Sequence, residues 1–161
     1  MIDPTRQAKL DDPVLLDTVS TVLSGFIGVW DEPTQAAILE CSAAGASSTT
    51  IQDEVLYLRA FTIVFGLGQN LGDTKIKSAL LDRFQGRVAN LLPEAQAFIG
   101  RAADYTMALE ASDPDDVARQ IGVVFAQHCG KHGDQALIEL GAKQYSALST
   151  VLMQFFLDAT K

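Results

Sequence analysis

The hydrophobic pattern of the chain is densest at residues 55–67, where nearly every position is apolar. Wound as an α-helix, these side chains cover most of the helix surface, which is typical of a helix buried in a core or a membrane. The run is too short to cross a bilayer, and it contains Arg59. We therefore predict a buried central helix over about residues 50–67, with Arg59, Thr62 and Gly66 along its less apolar face.

Apolar residues also recur at three- to four-residue spacing on either side of this helix, which predicts further amphipathic helices. Proline-containing starts and glycine stops mark most of the boundaries. No stretch alternates with a period of two over a useful length, and no linker or repeat divides the chain. We therefore predict an all-α fold: one domain over residues 1–161, with about seven helices packed around the central one and a mobile polar segment at residues 1–12.

The charge of the chain excludes two classes of partner. Twenty Asp and Glu residues against 12 Lys and Arg residues give a net charge of −8. Nucleic-acid binding needs clustered Lys and Arg, and anionic membranes repel an acidic surface, so we expect neither partner and no membrane span. The first residues contain no apolar leader, and two cysteines make no disulfide framework. The expected compartment is the cytoplasm.

Three potential metal ligands, His128, Cys129 and His132, lie together in the sequence HCGKH. Two histidines four residues apart on a helix can bind one metal ion. Gly130 stands between them, however, and is expected to end the helix there. No Asp or Glu occupies the position that a metalloprotease helix would need. We therefore expect no metal site and no cofactor, and we treat these three residues as weak candidates only.

Arg59 is the second candidate for a binding residue. A guanidinium on a buried helix needs an acid, a carbonyl group or a bound anion. An ion pair with an Asp or Glu of a neighbouring helix is the simplest hypothesis, and a ligand carboxylate is the alternative.

The glycines at 66, 68 and 72 resemble the glycine loop of a dinucleotide-binding site. Their spacing is one residue too long, and they follow a helix where that motif follows a strand. We expect instead that they end the central helix.

The order of residues from 82 to 155 resembles the middle of a globin. Pro93 and Phe98 stand where a globin has its proline and its haem-packing phenylalanine. The segment DPDDVARQIGVVFAQHCGKHG resembles the run that ends at the proximal histidine, which would be His128. The resemblance implies a small-ligand or haem-binding sensor centred on His128. The chain departs from the family because the stretch from Phe98 to His128 is too short for a full distal helix.

The apolar surface of the predicted helices favours self-association. The final helix has Leu148, Leu152 and Phe155 on one face, and residues 15–27 carry a similarly wide apolar face. No arrangement of nucleophile and base is identifiable. We therefore expect an interaction or regulatory module that forms a homodimer and has a protein or a small ligand as a further partner. A globin-like sensor centred on His128 is the alternative, and an enzyme with an unidentified site is the third hypothesis.

Overall fold

A computed structural model describes residues 1–7 and 10–160, and all regular structure within these ranges is helical. The helices in chain order are α1 (Pro4–Gln7), α2 (Pro13–Gly25), α3 (Glu32–Ala43), α4 (Ser48–Leu71), α5 (Lys75–Val88), α6 (Ala95–Ala111), α7 (Val117–His128) and α8 (Gln135–Ala159). Since α1 is a single turn, the prediction of an all-α domain with about seven helices is confirmed. None of the helices in the described ranges is long and apolar enough to cross a membrane.

The predicted central helix is α4, and it is surrounded by the other helices. Its buried side chains contribute to two clusters. The first cluster joins α2, α5, the C-terminal part of α4 and the C-terminal part of α8. The second joins α3, α6, α7, the N-terminal part of α4 and the N-terminal part of α8. Helices α4 and α8 contribute to both clusters, and the partly buried Phe98 packs against both.

The end of α4 differs from the prediction. Gly66 and Gly68 lie inside the helix, and only Gly72, with φ of +63°, ends it. A Cβ atom at position 66 would lie 3.0 Å from Cδ1 of Leu152, so Gly66 allows α8 to approach α4 closely. The prediction that all three glycines end the helix is therefore wrong for the first two: Gly66 packs against α8, and Gly68 lies inside the helix with no neighbour within 4 Å of a Cβ atom.

Helices α7 and α8 approach each other even more closely. A Cβ atom at Gly122 would lie 2.1 Å from the carbonyl oxygen of Ile138, and one at Gly141 would lie 2.7 Å from Cβ of Phe125. Real Cβ atoms are not found at such distances, so this crossing requires glycine on both helices.

The N-terminal segment packs against the core more than its polar composition indicated. Ile2 and Leu10 are buried, and the backbone N–H of Ile2 donates to the carbonyl oxygen of Asn70 at 2.8 Å. The side chain of Gln7 donates to the carbonyl oxygen of Ile2 at 2.8 Å. Residues 8 and 9 lie outside the described part of the chain. The mobility of residues 1–12 stays a prediction, but part of this segment covers the C-terminal end of α4.

Candidate functional site

The side chain of Arg59 connects α4 to the α2–α3 loop and to α8. It is 6% exposed. Its Nη1 donates to the carbonyl oxygens of Ile27 at 2.9 Å and Val29 at 2.5 Å, and its Nε donates to Oε1 of Gln144 at 3.0 Å. Its Cζ lies 5.0 Å from the centre of the Trp30 ring, a cation–π contact. The guanidinium thus holds three parts of the fold together.

The ion pair that we expected for Arg59 is absent from the described residues, where carbonyl and amide oxygens take the place of an acid. Burial lowers the pKa of Arg59, and the charge of Asp31 opposes this effect. The Asp31 carboxylate is itself engaged, because it accepts from the backbone N–H of Thr34 at 2.9 Å as the N-cap of α3. Hydrogen bonds from Thr34 lower the pKa of Asp31, and the charge of Arg59 lowers it further. The guanidinium therefore has no carboxylate in contact with it among the described residues.

Arg59 also lines an open cavity of about 320 Å³ between the α2–α3 loop and α8. The cavity is lined by Phe26, Val29, Asp31, Thr34, Arg59, Gln144, Ala147, Leu148 and Val151. The Gln144 side chain bridges its polar end, accepting from Arg59 and donating to Oγ1 of Thr34 at 3.0 Å. Nη2 of Arg59 donates no hydrogen bond to a described residue. The cavity therefore combines an apolar wall with a cationic end.

An apolar surface extends from this cavity along two helices. We call it the α2–α8 face, and it consists of Val22, Phe26, Val29, Leu148, Val151 and Phe155. Val29 is 51% exposed and Val151 is 45% exposed. The rings of Phe26 and Phe155 meet edge to face with centroids 6.2 Å apart, which joins the two helices across the face. All six side chains of the face are apolar, and the charged side chains of Asp31 and Arg59 line the cavity beside it.

The residues of the HCGKH sequence lie in different surroundings. His128 ends α7, with its Nε2 3.2 Å from a carboxylate oxygen of Asp104 and its ring 5.8 Å from that of Tyr105. Cys129 is buried, whereas His132 is exposed. Among the described residues, no group of three or more His, Cys, Asp or Glu side chains could hold a metal ion. His128 does not line any of the five cavities described for these residues, and the groups nearest to its ring are Asp104 and Tyr105.

A buried ion pair between Glu54 and Arg101 was not anticipated. Glu54 is 2% exposed, and Nε of Arg101 donates to both of its carboxylate oxygens, at 3.1 and 3.2 Å. The Arg101 guanidinium also stacks on the ring of Tyr57, with Cζ 4.9 Å from the ring centre. The signal in the sequence is spacing, because Glu54 shares a helix face with the apolar Ile51 and Leu58. Both charges are satisfied inside the fold, which indicates a structural role.

The two cysteines are free and buried. Burial raises the pKa of Cys129 to about 12 and also raises the pKa of Cys41. We therefore expect neither thiol to react appreciably with iodoacetamide at about pH 8 until the protein is unfolded in urea.

The raised thiol pKa values also determine how the stability of the fold changes with pH. The folded state holds the thiol proton more tightly than the unfolded state does. Stability from Cys129 is present below the ordinary thiol pKa of 9.0 and is lost as pH rises towards about 12. Rapid alkylation of the native protein by iodoacetamide, detected by mass spectrometry, would contradict the prediction that the two thiols are unreactive in the folded state.

The two candidate sites of the sequence lie apart in the structure. Arg59 contacts the α2–α3 loop and α8, whereas His128 contacts α6. No protein-family model, curated protein or solved structure matches the chain. Function must therefore be inferred from the geometry of these residues.

Proposed function

We propose that this protein is an interaction module that self-associates, and that the α2–α8 face is the contact between two copies. The observation that carries this proposal is the exposure of Val22, Val29 and Val151 beside the half-buried rings of Phe26 and Phe155. Contiguous apolar surface of this kind is costly in water and is typical of an interface. The two helices are those for which the sequence pattern favoured self-association.

The charge of the chain restricts where two copies can meet. Each copy carries a net charge of −8, so two copies repel one another unless they meet through neutral surface. The α2–α8 face supplies such a surface, and a two-fold axis places the same face of each copy against the other. A standard interface buries about 800 Å² per partner, which is roughly a tenth of the 8413 Å² that the chain exposes.

The proposal is tested by placing a carboxylate in the face. In Val22→Glu and in Val151→Glu, two like charges meet near the axis without water to screen them. We expect the dimer Kd to rise by about a hundredfold or more. Sedimentation equilibrium at micromolar concentration measures the shift from twice 17.3 kDa towards 17.3 kDa.

Ile99→Glu is the matched control. Ile99 is 74% exposed on α6, which packs against α4 and α7, so the same charge is added to an apolar site outside the face. Its dimer should be as stable as that of the unchanged protein. A wild-type chain that stays at 17.3 kDa on concentration, or equal dissociation by Ile99→Glu, would contradict the proposal.

A further inference from the structure

The guanidinium of Arg59 is a buried cation whose charge no contacting acid neutralises among the described residues. The carbonyl groups of Ile27 and Val29 and the amide of Gln144 satisfy hydrogen-bond donors, but they carry no net charge. A desolvated cation is costly unless a counter-ion lies close to it. Asp31 acts only from a distance and is engaged with Thr34. Arg59 therefore offers one unused donor, Nη2, and an unneutralised charge.

The cavity that Arg59 lines restricts what can bind. Its volume of about 320 Å³ lies near the lower limit of small-molecule sites, which range from about 300 to 1,000 Å³. Arg59, Asp31, Thr34 and Gln144 form the polar part of the lining, and the rest of the wall is apolar, with Phe26, Leu148 and Val151 as its largest side chains. A ligand that fills the cavity must therefore present an anionic end to Arg59 and an apolar body to α8.

The charges near Arg59 favour a singly charged anion. One guanidinium supplies one positive charge, and the Asp31 carboxylate lines the same cavity. A phosphate dianion would be repelled by this carboxylate, and attracted by Arg59, twice as strongly as a carboxylate ligand, so the sum of the nearby charges decides which anion is favoured. Lys143 lines the adjoining cavity with Asp31, and its charge lowers the pKa of Asp31. The balance of charge thus admits one more negative charge.

We infer that the cavity binds a monocarboxylate with a short apolar tail. The carboxylate accepts a charge-assisted hydrogen bond from Nη2 of Arg59, and the tail lies along Phe26, Leu148 and Val151. This site goes beyond the proposed self-association but shares Phe26, Val29, Leu148 and Val151 with the α2–α8 face, so a ligand and a second copy of the chain compete for it.

The test is titration calorimetry of the full chain with sodium octanoate at concentrations at which the chain is monomeric, and octanamide serves as the uncharged probe of the same length. Saturable one-to-one binding of octanoate is expected, and octanamide should bind more weakly by about tenfold or more, since it lacks the charge that pairs with Arg59. No binding of octanoate, or equal binding of the two probes, would overturn the inference.

Two variants assign the binding to Arg59. Arg59→Met removes the cation, and octanoate binding should be lost, whereas Arg87→Met, on the outer surface of α5, should leave it unchanged. Because Arg59→Met also loses contacts to Ile27 and Val29, Gln144→Glu provides a second test. It places a carboxylate of nearly the same shape against Nε of Arg59, so the fold is kept and octanoate is excluded.

Octanoate binding to Gln144→Glu with the affinity of the wild type would overturn the assignment to Arg59. The Val22→Glu variant separates the two proposals, because Val22 does not line the cavity. Octanoate binding should persist in this variant at concentrations at which the chain is monomeric. If the wild type proves monomeric and still binds octanoate, the self-association fails while the ligand site stands.

Discussion

Replacing Arg101 with methionine is expected to lower the free energy of unfolding by about 3–5 kcal/mol. The substitution leaves the buried Glu54 carboxylate without the cation that donates to both of its oxygens. A carboxylate in an apolar core cannot recover its lost hydration, so the fold must either open or protonate it. Urea unfolding followed by circular dichroism measures the loss.

Two controls separate the orphaned charge from lost packing. The double variant Glu54→Leu, Arg101→Met removes both charges, and most of the stability should return. Arg87→Met makes the same substitution in an exposed ion pair with Asp17, where the cost should stay below about 1 kcal/mol. If the double variant is as unstable as Arg101→Met, loss of the Arg101 guanidinium from the ring of Tyr57 is the cause, and the charge argument is wrong.

Gly122→Ala is expected to cost about 3 kcal/mol, a large effect for a single methyl group. The added Cβ would lie 2.1 Å from the carbonyl oxygen of Ile138, a backbone atom that cannot rotate away. Helices α7 and α8 must therefore separate, which opens the packing around Gly141 and Phe125. Thermal denaturation measures the effect as a lower Tm.

Gly100→Ala is the matched control for this substitution. Gly100 lies inside α6, and a Cβ atom there would have no neighbour within 4 Å. Alanine is favoured over glycine in a helix, so this variant should gain about 0.5–1 kcal/mol. Equal stability of Gly122→Ala and the wild type would show that the α7–α8 contact adjusts at little cost.

The central helix could be predicted because its signal is local. A run that is apolar on nearly every side can only be buried, and α4 is buried. The C-terminal end of α4 could not be located, since glycines such as Gly66 and Gly68 often end a helix. Gly66 remains helical because the Leu152 side chain fits against it, and Leu152 is far away in the sequence. The residues around Gly66 give no sign of a contact with a residue so distant in the sequence.

The candidate site was predicted only in part, for a related reason. The burial of Arg59 follows from its position on α4, but its partners are the backbone carbonyls of Ile27 and Val29. Since any residue type can supply a backbone carbonyl, the sequence gives no sign of these two partners. Glu54 escaped notice because a carboxylate near the start of a helix is ordinarily solvated, and only Arg101 on α6 explains its burial.

The HCGKH cluster shows the opposite case, in which nearness in sequence suggested a site. Gly130, with φ of +76°, turns the chain out of the helix directly after Cys129. His128 stays against Asp104 on α6, and His132 follows the turn into solvent. Four-residue spacing brings two histidines together only while the helix continues.

The place of α8 in both core clusters has a consequence for how the protein is made. Synthesis proceeds from the N-terminus, so α8 is the last of the described helices to leave the ribosome. Until it emerges, the α8-facing side of α4 and the glycine face of α7 have nothing to pack against. We therefore expect these surfaces of α4 and α7 to stay uncovered until α8 emerges, so that the core is completed late in synthesis.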